Sequence, residues 1–117
     1  MDNDDPVTLY LRELATAPPL TKEEEVHLFH ESVQTGELAE TAKRRLLESR
    51  LPLVVPIAER YAHRGLTILD LIQEGNLGLM RALENFPESG LDDFSAYASS
   101  CIEDAISGAL VRSQSTR

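Results

Sequence analysis

Apolar residues along this chain recur three and four positions apart, in stretches separated by proline, glycine and short polar groups. That spacing predicts amphipathic helices. Asp5 with Pro6 behind it opens the first, whose apolar positions are Val7, Leu9, Tyr10, Leu11 and Leu14; Pro18-Pro19 stops it. Thr21 opens the second, with Glu24 three residues on to complete a capping box. Val26, Leu28, Phe29 and Val33 supply its apolar residues, and Thr35-Gly36 ends it. A third stretch runs from about Glu37 to Arg50. Pro52 and Pro56 lie too close together for one straight helix, so a break is expected near Arg50. Pro52 then falls in the first turn of a new segment, and Pro56 kinks or opens it. Arg64-Gly65 is the next turn. Thr67 caps a helix that ends near Asn85-Phe86-Pro87, with Asp70 three residues after the cap. Glu88 to Asp92 form a turn. The last helix is expected from about Asp93 to Val111, followed by a frayed polar tail.

The Thr67–Asn85 helix carries the informative pattern. At a hundred degrees per residue, Ile68, Leu71, Ile72, Gly75, Leu79, Ala82 and Leu83 share one arc, the core face. Asp70, Gln73, Glu74, Asn76 and Arg81 fall outside it, and so do Leu69, Leu77 and Met80. Large apolar side chains among short acidic and amide groups are the composition of a protein-binding patch. Periodicity alone allows a second reading, in which Leu69 and Leu77 pack on a neighbouring helix of the same fold. Gly75 and Gly78 each cost a helix about 1 kcal/mol relative to alanine, which close approach of another backbone would justify.

Composition narrows the function classes. The chain is long enough for one compact unit and short for two with separate large cores. Its formal net charge of −9 opposes nucleic-acid binding unless basic residues cluster, and the longest basic group is only Lys43-Arg44-Arg45. The lone Cys101 permits no internal disulfide and suits the cytoplasm. The acidic start, Met-Asp-Asn-Asp-Asp, is unlike a secretory signal or transit peptide, and no apolar run reaches membrane-spanning length. His27 and His30 lack a third metal ligand at useful spacing. No nucleophile–base pair, phosphate-binding glycine loop or zinc motif occurs, so neither enzyme activity nor a cofactor is expected.

At Leu69 to Leu83, LDLIQEGNLGLMRAL, the sequence closely resembles region two of the sigma-70 family of bacterial sigma factors. DPVTLYLREL from Asp5 and PLTKEEEVHL from Pro19 are similar to region 1.2, the segment that precedes region two. Ala42 to Leu66 is similar to the first helix of region two, and DFSAYASSCIEDAI from Asp93 to the promoter-melting helix. The resemblance implies an all-α bundle of the region-two type behind an N-terminal helical pair. The pair spans residues 1–36, the bundle 37–112 and the tail 113–117, all in one compact unit. It also implies a partner: the coiled coil in the largest subunit of core RNA polymerase. Asp70, Gln73, Glu74, Asn76 and Met80 match the family's gripping positions, with Leu69 and Leu77 beside them.

The departures are concentrated in the last helix. Ser100 and Cys101 stand where the family has paired tryptophans, and Glu103 and Asp104 where it has an Arg-Gln pair facing DNA. Ser89, Gly90 and Asp93 replace a basic turn, and Arg50, Pro52 and Pro56 alter the first helix of region two. From Ala82 to Val111 there is no Lys or Arg, whereas Glu84, Glu88, Asp92, Asp93, Glu103 and Asp104 are all present. Phe94, Ala98, Cys101, Ile102 and Ala105 form the expected buried stripe. Phe94 and Tyr97 are thus doubtful DNA contacts, read more simply as a packed Phe and a partly buried Tyr. The family's later regions find no counterpart. The expectation is a sigma-like regulator of transcription that holds core polymerase and has lost promoter melting, with weak or no DNA binding alone. Two alternatives stand beside it. One is a decoy or scaffold for an anti-sigma factor or other regulator. The other is a divergent or truncated sigma factor still acting at promoters. The exposed patch leaves a homodimer open.

Overall fold

The computed structural model describes residues 20–115 together with Leu9. The helix expected from Asp5 to Leu14 therefore lies outside the described residues, Leu9 excepted. Among the described residues the chain forms α-helices and short 3-10 turns, with no strand: the fold is all-helical. Packing divides the chain into two compact units, residues 1–50 and 51–117.

In the first unit, α1 (Lys22–Ser32) and α2 (Glu37–Arg50) form a helical hairpin. The capping box at the start of α1 is complete. Thr21 Oγ1 accepts from the Glu24 amide at 3.1 Å, and the Glu24 carboxylate accepts from the Thr21 amide at 2.9 Å. Gly36 makes the turn into α2 at a φ of 93°, a left-handed conformation natural to glycine. Ala39, Ala42 and Leu46 are the buried positions of α2, spaced three and four apart as one helix face requires. Leu28 and Phe29 are half-buried, whereas Val26 and Val33, read as apolar packing positions, are exposed. Arg50, at the end of α2, pairs with Glu25 of α1, and partial burial lowers its pKa from the ordinary guanidinium value.

The second unit begins with a 3-10 turn, Leu51–Leu53, which leads into α3 (Val54–Arg60). The two prolines therefore do not interrupt a helix. Pro52 sits in the 3-10 turn, and Pro56 falls in the first turn of α3. An α-helix there has no use for the missing N–H, so no kink is needed. A loop with His63 at φ 67° and Gly65 at φ 123° precedes α4 (Ile68–Asn85). A second 3-10 turn, Phe86–Glu88, follows. The Asp93 carboxylate then accepts the Ala96 amide at 3.1 Å and opens α5 (Phe94–Ser115). That helix runs four residues beyond the Val111 end expected from apolar spacing.

The core of this unit joins all three helices. Val54, Val55, Ile57 and Ala58 come from α3, Leu71, Ile72, Leu79, Ala82 and Leu83 from α4, and Phe94, Ala98, Ile102, Ile106, Ala109 and Leu110 from α5. α4 and α5 pack antiparallel over most of their length. The two α4 glycines face this packing. A Cβ at Gly78 would lie 2.6 Å from the Cys101 carbonyl oxygen and 2.8 Å from Ala105 Cβ. One at Gly75 would lie 2.6 Å from Val54 Cγ1 and 3.2 Å from both Ile102 and Ile106 side chains. At Gly78 this is the close backbone approach that glycine in a helix calls for; at Gly75 packed side chains fill the space instead.

Candidate partner-binding face

The position of α4 is fixed at its start and along its inner side. Thr67 Oγ1 accepts the Asp70 amide at 3.1 Å, and Asp70 in the first turn complements the positive end of the helix dipole. Leu71, Ile72, Gly75, Leu79, Ala82 and Leu83, six of the arc read as core, are buried, joined by Gly78; Ile68 is half-buried. With the inner side buried, the opposite side is held outward. Leu69, Leu77 and Met80 remain 42%, 46% and 47% exposed, large apolar side chains with much of their surface in water. Packing within the described fold therefore does not account for them. Asp70 and Gln73 are exposed between them, and Glu74 and Asn76 are half-buried at the two edges of the face. The seven residues singled out on α4 form one continuous strip around its outer side.

The outer side of α5 differs. Ser100 and Asp104 are exposed, and Glu103 and Cys101 half-buried. Phe94 is only 3% exposed, its ring edge-on to Phe86 with centroids 5.2 Å apart. A ring so enclosed offers no face for a base to stack on. Tyr97 is half-buried 5.9 Å from the same Phe86 ring. Desolvation, and then the electrostatic influence of the neighbouring Cys101, raise the Tyr97 hydroxyl above its ordinary pKa. Cys101 was expected in the buried stripe. It is instead half-buried, in a groove between α4 and α5 also lined by Glu74, Arg81 and Asp104, with the Cys101 backbone, rather than its side chain, against Gly78. Ala105, likewise expected in the stripe, is half-buried in the same groove.

Two cations that sequence reasoning passed over complete the electrostatics. Arg60 of α3 pairs with Glu103 at 3.1 Å, and Arg112 of α5 pairs with Glu74 at 3.5 Å. Neither pair has a sequence signature, since each joins residues on different helices that stand far apart in the chain. Among the described residues no group of three His, Cys, Asp or Glu side chains could hold a metal; His27 instead lies 3.4 Å from Glu31. No helix among the described residues is long and apolar enough to cross a membrane.

An all-helical unit in which LDLIQEGN opens an outward helix face defines a protein class, and comparison with known proteins agrees. Residues 46–116 match the sigma-70 region 2 family, and residues 5–28 match sigma-70 factor region 1.2. The chain belongs to the sigma-70 family. It is 47% identical over 107 residues, 92% of its length, to the RNA polymerase sigma factor SigA of Lactococcus lactis subsp. cremoris. The corresponding proteins of Lactococcus lactis subsp. lactis (strain IL1403) and a Bacillus species are equally similar. The chain spans 28–29% of the length of these relatives.

Proposed function

We propose that this chain is a sigma-factor-like regulator of transcription that binds core RNA polymerase through the outer face of α4 and does not melt promoters. Membership in the sigma-70 family supports the general role in transcription initiation, and its relatives are named as RNA polymerase sigma factors. The observation that carries the specific reading is the exposure of Leu69, Leu77 and Met80 beside Asp70 and Gln73. Three large apolar groups in water on one helix face gain stability when a partner covers them, at about 25 cal/mol per Å² of apolar surface removed. The acidic and amide groups between them suit a partner bearing Arg or Lys. The partner element is the polymerase coiled coil that the family resemblance implies.

Loss of melting rests on α5. Single-stranded DNA is held by cations along its backbone and by rings that stack on its bases. Glu103 and Asp104 offer the wrong sign, Ser100 and Cys101 offer no ring, and Phe94 is enclosed. The 47% identity across both matched regions favours one further reading, a divergent sigma factor still active at promoters. It predicts salt-sensitive binding of single-stranded promoter DNA by the chain with polymerase.

The direct test is retention of purified core polymerase on the immobilised chain. Gln73→Ala combined with Met80→Ala removes two exposed groups without touching the core. The expected result is retention by the parent chain and at least a tenfold loss in the double variant, roughly 1.4 kcal/mol or more. Equal retention by both overturns the assignment.

A further inference from the structure

We infer that Arg112 is an internal counter-ion for Glu74, which a docking partner must displace; this rests on the polymerase-binding reading above. Around α4, Glu74 sits at the edge of the outer face nearest α5, with Gly78, Arg81 and Asn85 beside it along the groove. Its side chain is one-third exposed, and its carboxylate lies 3.5 Å from Arg112 Nη2. It therefore belongs to two surfaces, the outward strip of α4 and the groove against α5.

Arg112 reaches it for reasons visible in the chain. Side chains on a helix lean toward its N-terminus, so Arg112 extends back along α5 over position 108. That position is glycine. A Cβ there would lie 3.5 Å from Arg112 Nη1, so the guanidinium rests over the bare backbone. Because α4 and α5 run antiparallel, this brings the cation to the Glu74 end of the groove. Arg81 and Arg112 are successive cations in the sequence, with thirty uncharged or acidic residues between them. Both arginines line this groove with Glu74 and Asp104, and Arg112 is the cation that pairs with Glu74.

The consequence concerns the partner's chemistry. A partner that covers Leu77 and Asp70 reaches Glu74 next, and its natural counterpart is Arg or Lys. Arg112 already occupies that carboxylate and repels a second cation. The Arg112 side chain is 69% exposed, so the pair is solvated and weak enough to exchange. Docking then proceeds by replacing an internal ion pair with an intermolecular one, and Arg112 lowers affinity while selecting partners whose cation reaches Glu74.

The test is titration of the labelled full chain with purified core RNA polymerase, at low and high salt. Arg112→Ala is expected to bind about two- to five-fold tighter at low salt, with the gain shrinking as salt rises. Arg112→Lys, which keeps the cation, is expected to stay near the parent chain. In a Glu74→Gln background, Arg112→Ala is expected to give no gain. Unchanged or weaker binding by Arg112→Ala overturns the inference alone, as does an equal gain in the Glu74→Gln background. Failure of the parent chain to bind polymerase at all overturns the docking reading and this inference with it.

Discussion

Glycine in a helix interior is normally a weakness, and α4 and α5 show when it is a requirement. At Gly78 an added methyl meets the Cys101 carbonyl at 2.6 Å, a backbone atom that no rotamer change moves. At Gly108 it meets only the far end of Arg112, at 3.5 Å. The same substitution should therefore have opposite signs at the two sites. Gly78→Ala is expected to destabilise the protein by about 1–3 kcal/mol through overpacking, despite better helix propensity. Gly108→Ala is expected to be neutral or to stabilise by up to about 1 kcal/mol. Urea denaturation of the two variants beside the parent chain measures both. The sequence marked both α4 glycines as places of close approach, because their propensity penalty needs a reason. It carried no sign of which atoms approach. The Cys101 carbonyl and the Arg112–Glu74 pair depend on how two helices cross, and Glu74 and Arg112 stand 38 positions apart.

Individual elements were legible wherever a local chemical signal started them. Thr21 with Glu24 starts α1, Gly36 precedes α2, and Thr67 starts α4; each acts through its own backbone within a few residues. The far end of α5 was not legible, because Ser113, Gln114 and Ser115 offer no apolar signal and yet continue the helix. The loop at His63 was also missed in detail: a positive φ at a non-glycine residue leaves no mark in composition. The outward face of α4 was readable residue by residue, since its inner side is buried almost without exception. The cap that sets this helix in place can be tested separately. Thr67→Ala removes the oxygen that accepts the Asp70 amide and is expected to lower stability by about 1 kcal/mol. Denaturant midpoints measure the loss; a change within a few tenths of a kcal/mol would mean that packing alone fixes the start of α4.

Across the whole chain, charge and family point the same way. The net charge of −9 belongs to a sigma-70 family chain whose α5 carries Glu103 and Asp104 where the resemblance implies an Arg-Gln pair, and Ser100 and Cys101 where it implies paired tryptophans. The outer face of α4 presents Asp70, Gln73, Glu74, Asn76 and Met80, the positions that the resemblance matches to the family's grip on polymerase. The proposed function divides the molecule into an α4 face that holds a partner protein and an α5 face that does not hold DNA. If that division describes the molecule, the chain and a sigma factor compete for one site on core polymerase. The decisive measurement is displacement of a fluorescently labelled sigma factor from core RNA polymerase by increasing amounts of this chain. The account predicts full displacement by the parent chain and none, over the same concentrations, by Gln73→Ala with Met80→Ala. A parent chain that leaves the labelled sigma factor in place at saturation would contradict it.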